Sequence, residues 1–322
     1  MNNKRGSLLI ITLTFILVFT LLGFGALRLA GNQNIAAENQ KASAQAFWLA
    51  DGAVQRAVTH LPKKLFTPSE TVVSSTGEYD LESKNNVKKD ENGQVIYTYK
   101  YQWIINTQGR VNGQARSIEA IVSALDTRFN IKTRGTIKDM DKCPQASIMV
   151  DCQLIQENQQ FSLDTYFQGF NKDQIYGLAD HAYVDPNNAG DVNPIENITL
   201  VTLVNNSSLN LTTDNIVGGE SVFLIVDTTA ASGNPHNPPS LRISGNGIFR
   251  GIIWVIGEAE FTGTAQVNGS ILIEGDPSRE TKILGNMVIE IDEQAVEEAV
   301  SQLMGGSLFP PQDPKMIAWK EI

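Results

Sequence analysis

Between Arg5 and Arg28 the chain carries no charge, and Ser7 to Leu27 forms a run of 21 uncharged, mostly apolar residues. As a helix this run spans roughly 30 Å, the thickness of the hydrocarbon core of a bilayer. Lys4 and Arg5 precede it, so the N-terminus is expected in the cytoplasm and the remainder outside. Arg28 then falls at the far interface, where its long stem can reach water. A cleaved secretory signal is the competing reading. Its apolar core is usually only about 7–15 residues, and Ala26 to Ala30 offers a weak cleavage site.

The helix is expected to continue past the membrane. No proline occurs before Pro62, and residues 32–61 are rich in Ala, Gln, Glu and Lys. Phe47, Ala50, Val54, Ala57 or Val58, and Leu61 recur at intervals of three and four, which predicts one apolar stripe packed on a soluble domain. The element covers residues 7–62 after a short basic leader, 1–6. It is a rod of about 80 Å at 1.5 Å per residue. Its backbone hydrogen bonds are internal, so it can sit in lipid or leave sideways to join like helices without exposing polar groups. A plain membrane anchor is the simpler alternative.

The net charge of −10 and pI of about 4.9 argue against nucleic acid as a partner, since phosphate binding needs clustered Lys and Arg. The two cysteines, Cys143 and Cys152, have neither metal nor CxxC redox spacing. They read as a disulfide if this stretch lies outside the cytoplasm, and otherwise as two separate thiols.

Residues 63–127 read as a small antiparallel meander. Tyr97, Tyr99, Tyr101 and Trp103 alternate with Thr98, Lys100 and Gln102 in a half-buried strand. Gly109 to Gly113 supplies turn residues, and Ile118, Ala120 and Val122 alternate in a second strand. The meander is expected to pack on the long helix. Residues 128–207 read as an irregular connection with an apolar cluster around Phe161, Leu163, Tyr166, Phe167 and Phe170. Within it, residues 185–196 hold Asp and Asn in a crude calcium-loop order, but the ligand spacing fails and Pro186 and Pro194 interrupt it. A plain loop is the simpler reading.

Residues 208–322 carry an internal repeat. Leu241–Glu258 aligns without a gap on Ala259–Asp276, matching Gly245 with Gly263, Gly251 with Gly269, and Gly257 with Gly275. Ile243 meets Phe261, Phe249 meets Val267, Ile253 meets Ile271 and Val255 meets Ile273. A partial third copy places Ile283, Gly285 and Ile289 in step, and Leu209–Asp227 is a degenerate earlier copy before the insertion Gly233–Pro239. A repeat of 18 residues with strand formers and spaced glycines predicts one β-helix-like coil per copy. A β-sandwich is the alternative. Asp292 to Met304 reads as an amphipathic helix capping the open end. The expected fold is therefore α+β, mainly β.

Several short segments also carry a family resemblance. Arg5-Gly6-Ser7-Leu8, Leu21-Leu22-Gly23, Ala26-Leu27-Arg28 and Ala46-Phe47-Trp48-Leu49-Ala50-Asp51-Gly52-Ala53 together resemble the N-terminal region of PilX-like minor pilins and type IV pilus assembly proteins. The segments Phe161–Lys172, Phe249–Gly257 and Ala318–Ile322 resemble parts that accompany such N-termini. The resemblance implies prepilin-peptidase cleavage between Gly6 and Ser7. It also implies filament contacts through Leu8, Leu9, Phe15, Phe19, Leu22 and Leu27, with other pilins and assembly proteins as partners. One position departs from major pilins: Ile11 stands where their mature chain carries a glutamate.

No nucleophile elbow, P-loop, dinucleotide fingerprint or zinc spacing is present in the sequence, and no cofactor is expected. His60, His181 and His236 lie far apart. The repeat-equivalent acids Glu258 and Asp276 should stack about 4.8 Å apart, and Glu260 and Glu274 lie nearby. Such carboxylates also suit a solvated turn. The leading expectation is a non-catalytic minor pilin in the cytoplasmic membrane or the pilus. A membrane-anchored adhesin that binds a surface glycan or protein through its coil face is the second. An anchored carbohydrate-active enzyme is the third.

Overall fold

The structure, a computed structural model, describes residues 3–61, 69–125, 129, 131–138, 148–150, 152–167, 170–186, 189–204, 208–212, 220–230, 239–244, 248–264, 266–285, 287–304 and 315–322, with residues 3–10 described by backbone only. The chain forms two compact units. One comprises Met1–Lys84, Ile104–Ile121 and Met316–Ile322, and the other Asn85–Trp103 and Val122–Lys315. Both are discontinuous in sequence.

In the first unit, α1 (Asn3–His60) is an unbroken helix of 58 residues. Residues 11–41 are exposed all round. Beyond them Ala42, Ala46, Ala50, Ala53, Val54 and Ala57 are buried. Ala50, Val54 and Ala57 of the expected stripe are therefore buried, but Phe47 is only half-buried, and Ala42, Ala46 and Ala53 complete the contact face. Small side chains let a strand approach the helix backbone. The antiparallel strands β1 (Ser69–Ser74) and β2 (Gly77–Lys89) are followed by β3 (Val95–Val111) and β4 (Gln114–Ser123), and the last strand, Lys315–Glu321, lies beside β4. Thr107 Oγ1 donates to the Ala50 carbonyl at 3.0 Å. A Cβ on Gly109 would stand 2.0 Å from the Ala46 carbonyl oxygen. Gly109 and Arg110 thus belong to β3 and not to the turn, which shrinks to Asn112 and Gly113, both with positive φ as a two-residue hairpin requires.

The second unit is built of parallel strands. Residues 128–207, expected to be irregular, supply β5 (Ile131–Thr133), β6 (Thr136–Ile137), β7 (Ile148–Val150), β8 (Ile155–Gln156), α2 (Leu163–Tyr166), α3 (Lys172–Gly177), β9 (His181–Val184) and β10 (Ile198–Thr202). The chain then continues through β11 (Ser208–Thr212), β12 (Val222–Asp227), β13 (Ser240–Ser244), β14 (Ile248–Ile256), β15 (Glu260–Gly263), β16 (Gln266–Glu274), β17 (Glu280–Gly285) and β18 (Met287–Glu290). From β10 onward successive strands alternate between two sheets. One runs β7-β18-β16-β14-β12-β10-β9 and the other β11-β13-β15-β17-β6.

Along β14 and β16 the register is that of the repeat, with Phe249 opposite Val267, Ile253 opposite Ile271 and Val255 opposite Ile273. In the other sheet it slips by two. Leu241, and not Ile243, lies opposite Phe261, and Ile243 lies opposite Gly263. A two-residue slip keeps the same side chains facing inward, so the core tolerates it. Gly245 lies outside the described residues.

Val222, Leu224, Val226, Ile253, Val255, Ile271 and Ile273 join Leu209, Leu211, Leu241, Ile243 and Phe261 in one core. The alternate residues Phe223, Ile225, Ile252, Trp254, Ile256 and Leu272 are buried as well, in a second core. Strands covered on both faces read as continuous apolar runs, as Val222–Val226 and Ile252–Ile256 do. This corrects the expected role of α4 (Glu293–Leu303). It packs Val296, Ala299, Val300 and Leu303 against the outer face of β12, β14 and β16, because that apolar face needs cover. Asp292 caps it by accepting from Ala295 N at 3.1 Å.

Candidate functional site

The most exposed apolar surface among the described residues is the first part of α1. Leu13, Phe19 and Leu27 are 70%, 67% and 74% exposed. Exposure on this scale in one contiguous element marks an interaction surface, with lipid or protein. Every backbone group there is held inside the helix, and Thr20 Oγ1 donates to the Ile16 carbonyl at 2.6 Å, so its hydroxyl is satisfied without water. From Ile11 the helix is long and apolar enough to cross a membrane. Of the expected contact residues, Phe15, Phe19, Leu22 and Leu27 all lie exposed on this span, and the Phe15 and Phe19 rings stack at 6.4 Å. Gly6, Ser7, Leu8 and Leu9 lie on the α1 backbone, but their side chains are outside the described residues.

Three carboxylates, Glu297 and Asp227 buried and Glu274 half-buried, form the notable polar clusters of the second unit. Glu297 on α4 accepts from Tyr101 N at 2.5 Å and from the Tyr97 hydroxyl at 2.9 Å. Burial pushes its carboxyl above the ordinary range. Burial, with the Glu293 and Glu297 charges, pushes Tyr99 up to about 12. Asp227 ends β12, where it accepts from the Tyr176 hydroxyl at 2.6 Å and pairs with Lys172 at 3.0 Å. Burial raises its carboxyl, but hydrogen bonds from Thr229, Tyr176 and Lys172 outweigh that and hold it low. Glu274 ends β16 and accepts from Leu163 N at 2.8 Å and Trp254 Nε1 at 3.3 Å. Burial leaves its carboxyl raised. These acids tie α2, α3, α4 and β3 to the outer face of the parallel sheet. Nothing in the sequence announced them beyond an acid closing each apolar run at Asp227 and Glu274.

The acids of the repeat are engaged. Arg279 bonds Glu258 and lies 3.8 Å from Asp276, and Lys282 pairs with Glu260 at 3.1 Å. Arg279 thus contacts both of the acids expected to stack as a pair. In the stretch 185–196, Asp185 accepts from Val204 N at 3.1 Å and Glu196 binds His181 at 2.9 Å. Among the described residues no group of three His, Cys, Asp or Glu side chains is placed to hold a metal ion. His60 lies on the last turn of α1, and His236 and Cys143 lie outside the described residues. Cys152 opens a short 3-10 turn, and its pairing with Cys143 lies outside them too.

No protein-family model matches the sequence, and no curated protein matches it. Among solved structures, the competence-associated pilin ComZ from Thermus thermophilus aligns at 10% identity over 87% of this chain and 97% of that one, with a TM-score of 0.18. At that score the likeness carries no argument about fold or function.

Proposed function

We propose that this chain is a pilin-like, non-catalytic filament component of the PilX-like minor pilin type, held in the membrane by α1 before it enters a filament. One observation carries the reading: α1 is exposed, uncharged and mostly apolar over residues 11–27, yet continues without a break into the alanine seam that grips the sheet. A rod of this kind delivers its folded unit wherever its greasy end goes, whether lipid or a bundle of like helices. The alternating parallel sheets are read here as a short β-helix-like coil, a rigid body displayed outside the membrane. The engagement of Glu258, Glu260, Glu274 and Asp276 in ion pairs and hydrogen bonds supports a structural role for the coil over a catalytic one. Other pilins and a prepilin peptidase acting between Gly6 and Ser7 are the proposed partners.

Substituting Gly6 tests the filament reading. A processed pilin then keeps its leader and disappears from the sheared filament fraction. If sheared fractions contain the variant as they contain the wild type, or contain neither, the chain is an anchor and the filament reading falls.

A further inference from the structure

Beside the alanine seam the first unit carries an open groove of about 570 Å³, between α1, β4 and the last strand. Its aromatic wall is Phe47 and Trp48. Phe47 sits between two indoles, with ring centres 5.5 Å from Trp48 and 6.3 Å from Trp319. Both tryptophans are largely exposed, Trp48 at 67% and Trp319 at 56%. Two exposed indoles propped on a third ring are an uncommon feature of a surface that serves no ligand.

The facing wall is polar and pre-set. Arg116 Nε donates to Ser43 Oγ at 2.7 Å, and Arg116 Nη1 donates to Glu321 Oε1 at 2.8 Å. The guanidinium is thereby fixed, while its Nη2 and Glu321 Oε2 have no partner among the described residues. A donor and an acceptor side by side match two adjacent hydroxyls, each of which both donates and accepts. The indole face matches the apolar C–H face of a pyranose ring. The amides of Asn39 and Gln114, also on the lining, have no partner among the described residues and offer further donors and acceptors.

Other occupants fit less well. An apolar helix from a second copy would bury the free valences of the Arg116–Glu321 pair and the amides without offering them hydrogen-bond partners, which is unfavourable. A phosphate or nucleic acid meets Glu321 and a chain of net charge −10. We propose that this groove binds a neutral oligosaccharide, about two or three pyranose rings for a cavity of this size. Trp48 would stack on one ring, and Arg116 with Glu321 would hold a diol. The site lies on the helix-and-sheet unit and not on the coil, and it does not depend on entry into a filament.

The test is tryptophan fluorescence of the full chain in a detergent without a sugar headgroup, titrated separately with chitotriose, cellotriose and maltotriose. At least one trisaccharide should shift the emission with a Kd between roughly 0.1 and 1 mM. Trp48→Ala, an exposed substitution checked by circular dichroism, should weaken it about ten-fold or more. Arg116→Lys keeps the charge but loses the fork, and should weaken it as well. A flat response to all three sugars up to ~10 mM overturns the proposal. So does binding that survives Trp48→Ala, or an emission change that follows protein concentration and not sugar, which would assign the groove to a second copy of the chain.

Discussion

Gly109→Ala puts one methyl group where α1 and β3 come closest. That carbon would sit 2.0 Å from the Ala46 carbonyl oxygen and 3.0 Å from both the Ala46 carbonyl carbon and Ala50 N. All three are helix backbone, so no side chain can swing aside. Ordinary carbon–oxygen contact requires the helix to retreat by more than about 1 Å. That retreat lengthens the 3.0 Å bond from Thr107 to Ala50 and opens the seam at Ala42, Ala46 and Ala50. Overpacking against an unyielding neighbour costs about 1–3 kcal/mol and sometimes more, and loss of the buried threonine bond adds about 1 kcal/mol. The expected total is about 3 kcal/mol. Gly52→Ala is the matched control on the same helix. Gly52 is exposed and has nothing within 4 Å of its added carbon, so it should stabilise α1 by about 0.5–1 kcal/mol. Urea titration with hydrogen exchange read over residues 42–57 measures both. If Gly109→Ala stays within about 0.5 kcal/mol of the wild type, the helix does not lie on the strand in this way and the packing argument is wrong.

In the second unit, Tyr176→Phe removes the 2.6 Å bond to the buried Asp227 carboxylate and should cost about 1.5–3 kcal/mol by urea midpoint. Gly269→Ala should prevent the parallel stack from folding, since its φ is +149° and the added carbon would lie 1.8 Å from the Gly251 carbonyl oxygen; expression as folded protein, read by circular dichroism, would contradict this. Glu297 gives a pH signature. Its carboxyl is raised from 4.5, so the folded state holds the proton more tightly; the stability this adds is complete below the unfolded value and is lost as pH rises through the folded one. Glu297→Gln should therefore flatten, in part, the decline of unfolding free energy above pH 4.5, the raised Glu274 leaving a residual slope of the same sign.

The long helix was legible because nothing competes with it: no proline before Pro62, no charge for 21 residues, and a terminus that needs no partner to be helical. The seam was legible at Ala50, Val54 and Ala57 but not at Phe47, because period alone favours the bulky ring whereas a close backbone approach selects Ala46. The repeat gave the register of β14 on β16, since side chains on equivalent positions share one environment. It did not give the slip between β13 and β15, because a shift of two leaves the pattern of inward residues unchanged. The strands of residues 131–202 leave little pattern because they are only two to five residues long, and β5, β6 and β7 pair with strands more than a hundred positions away. The repeat points only to inward alternation, whereas Phe223, Ile225, Trp254 and Leu272 mark a second apolar face that must also be covered. The partners of Glu297 and Asp227 come from distant segments, and no local pattern encodes them.

The proposed function requires the exposed apolar span of α1 to take its place in lipid, and vesicle flotation reads this directly. The full chain should rise with liposomes through a density gradient. The double substitution Leu17→Lys and Leu21→Lys, at about 2.5–3.5 kcal/mol for each lysine near the bilayer centre, should leave it at the bottom with its sheet domains still folded. Equal flotation of both proteins, or failure of the wild type to float, would contradict it.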